Sequence, residues 1–235
     1  MKYFLLFMAS LISIWAQDHC HPQIGDNDYV VGYGSLMSQT SAERTVERIL
    51  SRHPVVINGF VRTFDAHVEI FNLGIAFLSV SPHETERLNG VMMSLSKQDI
   101  EAMDGREKSY CRQSIPHDSI QITDGYAFSD PDSKVWIYVL ENKDDSEVTT
   151  SKFKVVQSYV DVFLDGCLDI NQEFDLSDFA RDCVNLTKGW EKYPIVNDRI
   201  FPRRPWVYQP NALQIDRLLM EIAPEVIDNR HFESS

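Results

Sequence analysis

The chain has 235 residues, of which 43% are hydrophobic and 24% charged, so it carries enough apolar side chain to fold around one core. Its 35 acidic and 22 basic residues give a formal net charge of -13 at pH 7. A surface of that sign repels phosphate backbones. Composition and charge therefore argue against a wholly disordered chain and against nucleic acid as a partner.

The first element is an apolar N-terminal stretch, MKYFLLFMASLISIWA, with one lysine near its start. This pattern predicts a secretory signal peptide over residues 1–16, cleaved near Ala16. Its apolar run of about 13 residues is shorter than the ~20 that a membrane-spanning helix needs, so no stable membrane span is expected after cleavage. We therefore expect an exported protein, periplasmic or secreted, that begins with a polar segment at residues 17–28.

A strand, a glycine elbow and a helix are predicted next. The apolar run YVV leads into VVGYGSLMSQTS, in which Gly32 and Gly34 flank Tyr33. The following TSAERTVERILSR has helical spacing, and Thr40 with Glu43 has the pattern of a capping box.

Residues 53–140 are predicted to form a largely antiparallel sheet with one helix. Four short β-rich runs, PVVINGFVRTF, AHVEIF, GIAFLSV and NGVMMSL, are separated by turn signals. SKQDIEAMDG predicts a helix that begins at Ser96 and ends at Gly105. Strands are predicted in SYCRQSI, with Tyr110 and Arg112 on one face, and in SIQIT and KVWIYVL.

The spacing of apolar residues becomes helical after a polar boundary segment, ENKDDSEVTT. Helices are predicted in SKFKVVQSYVDVFLDGCL, in DLSDFARDCVNLTKG, and from Ala212 to Ile222 with Asn211 as cap. The sequence thus predicts an α+β fold: a mixed, mostly antiparallel sheet or barrel over residues 29–140, with a helical C-terminal extension over residues 151–235 packed on it.

The four cysteines, Cys20, Cys111, Cys167 and Cys183, allow three complete disulfide pairings in an exported protein. The sequence does not separate these pairings from one another or from buried thiols. It also does not indicate an oligomeric state.

Three common kinds of site fit the sequence poorly. Met37 stands where a dinucleotide-binding loop has its third glycine. Ser35 is preceded directly by Gly34 and has Met37 two places on, so it does not fit the G-x-S-x-G spacing of a hydrolase elbow. The histidines show no metal-ligand spacing. One narrower option is Cu(II) or Ni(II) on a new terminus at Gln17, Asp18 and His19. We predict no metal site and no cofactor.

The elbow itself fits a small anion. Backbone N–H groups in a turn after a strand form an anion-binding concavity, and glycines allow a ligand to approach the main chain. Main-chain groups of Tyr33, Gly34, Ser35 and Leu36 are therefore candidates to bind a carboxylate. The alternative is a plain glycine turn.

Two motifs in this order resemble the γ-glutamylcyclotransferase-like superfamily. VVGYGSLM resembles its Tyr-Gly-Ser-Leu loop, and MDGREKSYCR resembles its Leu-Asp-x-x-Glu segment with the Tyr-x-Arg that follows. INGFVRTF and LNGVMMSLS stand between them where the family has strands, and the likeness covers about residues 29–140. The resemblance assigns Tyr33, Gly34, Ser35 and Leu36 to substrate binding and Glu107 to catalysis, with Tyr110 and Arg112 as further pocket candidates.

The resemblance implies a cofactor-free enzyme that acts on a small-molecule γ-glutamyl amide or peptide and releases 5-oxoproline. Glu107 would move the proton. Two alternatives stay open: a non-catalytic binder of γ-glutamyl or amino-acid ligands, and a γ-glutamyl acyltransferase. Without the resemblance, the charges around Gly105 are typical of a solvated turn.

Overall fold

The secondary structure comes from a computed structural model that describes residues 20–70, 73–140, 152–203 and 211–232. The predicted signal peptide, the boundary at residues 141–150 and the terminal metal option at residues 17–19 lie outside these residues. The strands are β1 (Tyr29–Gly32), β2 (Ser51–Ile70), β3 (Leu73–Ser94), β4 (Cys111–Ile115), β5 (Ile120–Ile122), β6 (Val135–Val139), β7 (Phe153–Val156), β8 (Thr187–Lys188), β9 (Ile195–Asn197) and β10 (Arg230–Phe232). The helices are α1 (Gln39–Ala42), α2 (Lys97–Arg106), α3 (Gln157–Phe174), α4 (Phe179–Asn185), α5 (Ala212–Ile222) and α6 (Pro224–Asp228), with 3₁₀ turns at Ser35–Met37 and His117–Ser119.

The strands form one mixed sheet that stays open and does not close into a barrel. Its main path runs β10, β9, β7, β3, β1, β6, β4, while β2 pairs with β3, β5 and β8. The central strand β1 is antiparallel to β3 and parallel to β6. Helices flank this sheet, so the predicted α+β class is confirmed.

The long hairpin of β2 and β3 replaces the four short strands that the sequence predicted. The two strands are paired from Ser51 opposite Ser94 to Ile70 opposite Leu73. The turn signals inside them do not end a strand, because they are taken up as register irregularities at residues 58–60 and 63–66. Gly59 has a φ of 86°, which suits the irregularity there.

The helix predicted from Thr40 is wrong in its length and its cap. Helix α1 ends at Ala42, and its N-cap is Ser38, whose side chain accepts from the Ser41 N–H. Beyond the helix, the Glu47 N–H donates to Asp99 Oδ1 at 2.6 Å and the Leu50 N–H donates to Ser94 O at 3.0 Å. These tertiary bonds draw the chain towards β2, and they override the helical spacing.

Helix α2 forms as predicted and fixes the position of the candidate glutamate. Ser96 caps its N-terminus, and Ile100 and Met103 are fully buried against the core. The helix continues one residue past Gly105, and Glu107 is its C-cap, with the Glu107 N–H donating to Met103 O at 2.9 Å. The side chain of Glu107 thus leaves from the end of a rigid helix.

The C-terminal part contains strands as well as helices. Phe153–Val156, predicted as the start of a helix, form strand β7, because this stretch pairs with β3 at Gly74 and with β9 at Ile195. Helix α3 begins only at Gln157. Helix α5 has the predicted bounds, with Asn211 at its N-cap.

Two disulfides resolve the pairing that the sequence left open, Cys20 with Cys111 and Cys167 with Cys183. The second joins α3 to α4, and the first ties the N-terminal segment to β4. In the part of the chain that the structure describes, no helix is both long and apolar enough to cross a membrane.

Candidate active site

The loop after β1 and the end of α2 face one pocket of about 260 Å³. Six of the seven predicted site residues line it: Tyr33, Gly34, Ser35, Leu36, Glu107 and Tyr110. The pocket also includes residues that the sequence analysis did not single out, among them Arg106, Tyr138, Tyr159 and His67. The two motifs, more than seventy residues apart in the chain, are therefore brought together at one site.

The YGSL loop (residues 33–36) is held closely against its surroundings. The Tyr33 hydroxyl donates to Tyr138 O at 2.7 Å, and the Met37 N–H donates to Gly34 O at 2.9 Å. A Cβ at Gly32 would lie 2.8 Å from Leu36 O, and one at Gly34 would lie 3.0 Å from the Tyr159 hydroxyl. Gly32 leaves no room for a side chain because the loop folds back on its own main chain, whereas a side chain at Gly34 would press on the Tyr159 hydroxyl of α3.

A buried arginine, Arg62 of β2, lies beneath the loop. Its guanidinium donates to Tyr33 O at 3.1 Å and to further oxygens that belong to Asn89, Cys183 and Thr187. Burial lowers the pKa of Arg62 to about 9, so the side chain is still a cation at neutral pH. It lies 4.8 Å over the Phe163 ring. Arg62 thus fixes the loop carbonyl from below while its charge is shared among neutral oxygens.

Arg106 connects the loop with the candidate catalytic glutamate. Its Nη2 lies 3.0 Å from Ser35 Oγ, and its Nε lies 3.1 Å from Glu107 Oε1. The same guanidinium donates to the main-chain oxygen of Ser41 at 2.7 Å. The side chains of Arg106 and Glu107 are 20% and 18% exposed, so the ion pair is sheltered but open to a ligand. In the sequence, Arg106 stands in a cluster of charges around Gly105, and no motif distinguishes it from a residue of a solvated turn.

Tyrosines form much of the pocket wall. The Tyr110 hydroxyl donates to Leu78 O at 3.0 Å, and the Tyr159 hydroxyl accepts from the Leu78 N–H at 3.1 Å. Burial raises the pKa of Tyr33 well above its usual value, with a smaller contribution from Tyr110 and Glu107. Burial and the hydrogen bond to Asp104 likewise raise the pKa of Tyr138. Both groups therefore stay neutral hydroxyls across the physiological range.

The C-terminal part of the chain contributes directly to this pocket. Tyr159 belongs to α3, and His67 Nε2 lies 2.7 Å from the hydroxyl of Tyr193. Burial lowers the pKa of His67, so its imidazole is neutral at neutral pH. Tyr159 was predicted only as part of a helix, and no local pattern distinguishes a pocket tyrosine from a core tyrosine.

Arg112, the seventh predicted residue, lies outside the pocket lining. Its side chain is almost fully buried, 3.1 Å from Asp104 Oδ1 and 4.7 Å over the Trp136 ring. Asp104 in turn accepts from the Tyr138 hydroxyl at 2.7 Å. Arg112 therefore reaches the pocket only through Asp104 and Tyr138.

The described residues contain no group of three or more histidines, cysteines or acids arranged to hold a metal ion. The titratable groups that face the pocket are the glutamate, the arginine beside it, Lys108, the tyrosines and His67. Such a set suits binding and proton transfer on a small polar molecule.

Solved structures show which proteins share this fold. A solved gamma-glutamyl cyclotransferase aligns with a TM-score of 0.50 at 10% identity, covering 68% of this chain and 88% of its own, which shows a common fold. A protein from Arabidopsis thaliana, At5g39720.1, aligns with a TM-score of 0.41 at 19% identity, covering 53% of this chain and 75% of its own. YkqA from Bacillus subtilis aligns with a TM-score of 0.47 at 14% identity, covering 70% of this chain and 57% of its own.

A search of curated proteins gave no match. The profile of the family described as gamma-glutamyl cyclotransferase, AIG2-like, matches residues 30–155, which is more than half of the chain. This region includes both motifs that form the pocket. Family and fold together support a γ-glutamyl cyclotransferase-like function. The chain belongs to the gamma-glutamyl cyclotransferase, AIG2-like family.

Proposed function

We propose that this protein cyclises a γ-glutamyl amide or peptide to 5-oxoproline and releases an amine or amino acid. In this reaction the free α-amine of the glutamyl group attacks its own γ-carbonyl and forms the new C–N bond of a lactam. The original amide C–N bond then breaks. One proton must leave the attacking nitrogen, and one must reach the leaving nitrogen.

The observation that carries the proposal is the shared pocket of the YGSL loop and Glu107, connected by Arg106 at 3.0 and 3.1 Å. A carboxyl group placed between the two nitrogens can remove the first proton and deliver it to the second. Glu107 is the only acidic residue among the described residues that line the pocket. We therefore assign this proton transfer to Glu107.

The loop has the complementary task of binding the glutamyl end. Nucleophile and carbonyl already belong to one molecule, so the catalytic gain comes from holding the flexible chain in the attacking conformation. The main chain at residues 33–36 can bind the substrate carboxylate without a side-chain charge.

The test is 5-oxoproline release from a panel that includes glutathione, γ-glutamyl amino acids and ε-(γ-glutamyl)lysine. Glu107→Gln keeps the shape and an acceptor for Arg106, but its amide cannot shuttle the proton. We expect kcat to fall by about 10²- to 10⁴-fold, the usual contribution of positioned proton transfer. Glu101→Gln is the matched control, because Glu101 is an exposed glutamate of the same helix.

The proposal fails if the wild-type protein releases no 5-oxoproline from any member of the panel. Saturable binding of the same compounds without turnover would indicate a binding protein instead. Ligation products in the presence of acceptor amines, with no 5-oxoproline, would indicate an acyltransferase. A Glu107→Gln variant as active as the Glu101→Gln control would remove Glu107 from the mechanism.

A further inference from the structure

A short N-terminal strap, defined as residues 20–28, is fastened to the sheet at both of its ends. At one end Cys20 is bonded to Cys111, and the Arg112 N–H donates to Cys20 O at 2.9 Å. At the other end Asp28 accepts from the Lys134 N–H at 2.9 Å and from Trp136 Nε1 at 2.8 Å. The strap therefore bridges strands β4 and β6.

Arg112 connects the strap to the pocket wall. Its Nη2 donates to Pro22 O at 2.7 Å, and its Nε lies 3.1 Å from Asp104 Oδ1. Asp104 also accepts from the hydroxyl of Tyr138, which lines the pocket. Movement of the strap at this end would therefore displace the groups that hold Asp104 and Tyr138.

The disulfide lies even closer to the pocket along the chain. Cys111 directly follows Tyr110, which lines the pocket, and Glu107 lies between Asp104 and Tyr110. The segment that carries the proposed proton shuttle is therefore held at Asp104 by Arg112 and just beyond Tyr110 by the disulfide.

The two disulfides differ in their access to solvent. Cys20 and Cys111 are half-buried, whereas Cys167 and Cys183 have 0% exposure. Thiol–disulfide exchange requires a thiolate to reach a sulfur, so an external reductant meets Cys20–Cys111 first.

We propose that Arg112 and the Cys20–Cys111 disulfide act together as a positioning device for the segment from Asp104 to Tyr110, so that reduction of this disulfide reversibly lowers turnover. This inference rests on the proposed function. The reductant is a dithiol: one thiolate attacks a sulfur of the protein disulfide, and the second closes the ring of the oxidised reductant. Two electrons and two protons pass to Cys20 and Cys111, which become thiols.

The expected effect is on kcat more than on KM. A misplacement of about 1 Å in a catalytic group can cost on the order of 10²-fold, and we expect a 10- to 100-fold fall in kcat on reduction. KM should change less than kcat, because the hydrogen bond from Arg62 to Tyr33 O stays in place even where the contact of Arg106 with Ser35 is disturbed. Reoxidation should restore kcat.

In the experiment, the oxidised protein is titrated with dithiothreitol and kcat is measured at each step. The thiols formed at each step are alkylated and identified by mass spectrometry. The Cys167→Ala/Cys183→Ala variant keeps only the disulfide under test and should show the same loss as wild type. Cys20→Ala/Cys111→Ala should start with the lowered kcat and not respond. Arg112→Lys should lower kcat with the disulfide intact, because one ammonium group would replace the two nitrogens that face Pro22 O and Asp104.

Hydrogen exchange of peptides that cover residues 104–112 gives a readout independent of turnover, and it should rise when Cys20–Cys111 is reduced. The inference is overturned if both cysteines are alkylated while kcat and this exchange stay unchanged. If the oxidised wild type releases no 5-oxoproline, the proposed function fails, and unchanged exchange would separately refute the positioning role. If Cys20→Ala/Cys111→Ala does not fold, reduction of Cys167→Ala/Cys183→Ala decides the question.

Discussion

Replacement of Arg106 by alanine should weaken the site without removing either motif. The change removes the hydrogen bond to Ser35 Oγ at 3.0 Å and the contact to Glu107 Oε1 at 3.1 Å. A hydrogen bond to a charged group typically contributes about 1.5–3 kcal/mol. Because the side chain of Arg106 is 20% exposed, we take a value in the lower half of that range. A loss of about 2 kcal/mol corresponds to roughly a 30-fold decrease in kcat/KM.

The assay is initial-rate 5-oxoproline release for wild type, Arg106→Ala, Ser35→Ala and the double variant. Arg106 also donates to Ser41 O, so the single variant removes a structural contact as well. The double-mutant cycle separates the two effects. If Arg106 and Ser35 interact, the loss of activation free energy in the double variant is smaller than the sum of the losses in the two single variants. Arg181→Ala, which removes an exposed arginine paired with Glu221, is the control.

A coupling of at least about 1 kcal/mol between Arg106 and Ser35 is expected for residues in direct contact. The reasoning is refuted if Arg106→Ala keeps kcat/KM within about twofold of wild type, which is below 0.5 kcal/mol. If the losses in kcat/KM of the two single variants add up to the loss of the double variant, the contact likewise does not join the loop to the glutamate in solution.

Two further predictions concern stability. A Cβ at Gly166 of α3 would lie 2.3 Å from Ser38 N and 2.4 Å from Met37 C, so Gly166→Ala should destabilise the fold by about 2 kcal/mol in urea unfolding despite its better helix propensity. Gly105→Ala, where a Cβ meets nothing within 4 Å, should be neutral or stabilising. If the two variants change the free energy of unfolding equally, the close packing at Gly166 is contradicted. Burial, with Asp169 and Asp161 nearby, raises the pKa of Asp165 from 3.8 to about 6. The unfolded state therefore loses this proton at a lower pH than the folded state, so the contribution of Asp165 to wild-type stability should fall as pH rises from 4 to 6, by up to about 3 kcal/mol. Asp165→Asn should remove this fall and be more stable at pH 7, whereas Asp132→Asn, an exposed acid, should keep it; an unchanged pH profile in Asp165→Asn would show that Asp165 is not the group responsible.

Local signals in the sequence were sufficient for elements with clear caps and a clear apolar face. Ser96 with Ile100 and Met103 specified α2, and Asn211 specified the start of α5. Local patterns failed where distant contacts decide the conformation. The segment after Ala42 has helical spacing, yet it forms a turn and an irregular stretch that bonds to Asp99 and Ser94.

The candidate site was predictable only where a motif is continuous in the chain. The YGSL loop and Glu107 could be identified by resemblance, and the structure places both at one pocket. Arg62 lies in INGFVRTF, which resembles a strand of the family, but its position under the loop was not predictable, because its hydrogen-bond acceptors lie between 27 and 125 residues away in the chain. Arg106 could not be identified, because many helices have a charged residue near their C-terminus. The spacing of residues along the chain does not show which of them faces a pocket.

The hydrogen bonds of Arg62 also determine when the site can be completed during synthesis. A chain that leaves the ribosome from its N-terminus presents the YGSL loop and Glu107 long before Cys183 and Thr187, whose oxygens Arg62 needs in its buried position. Until those residues emerge, the guanidinium under the loop lacks part of its acceptors and would be costly to bury. The order of synthesis thus makes the pocket a late part of the molecule to form, because the acceptors of Arg62 are complete only after residues 183–187 have emerged.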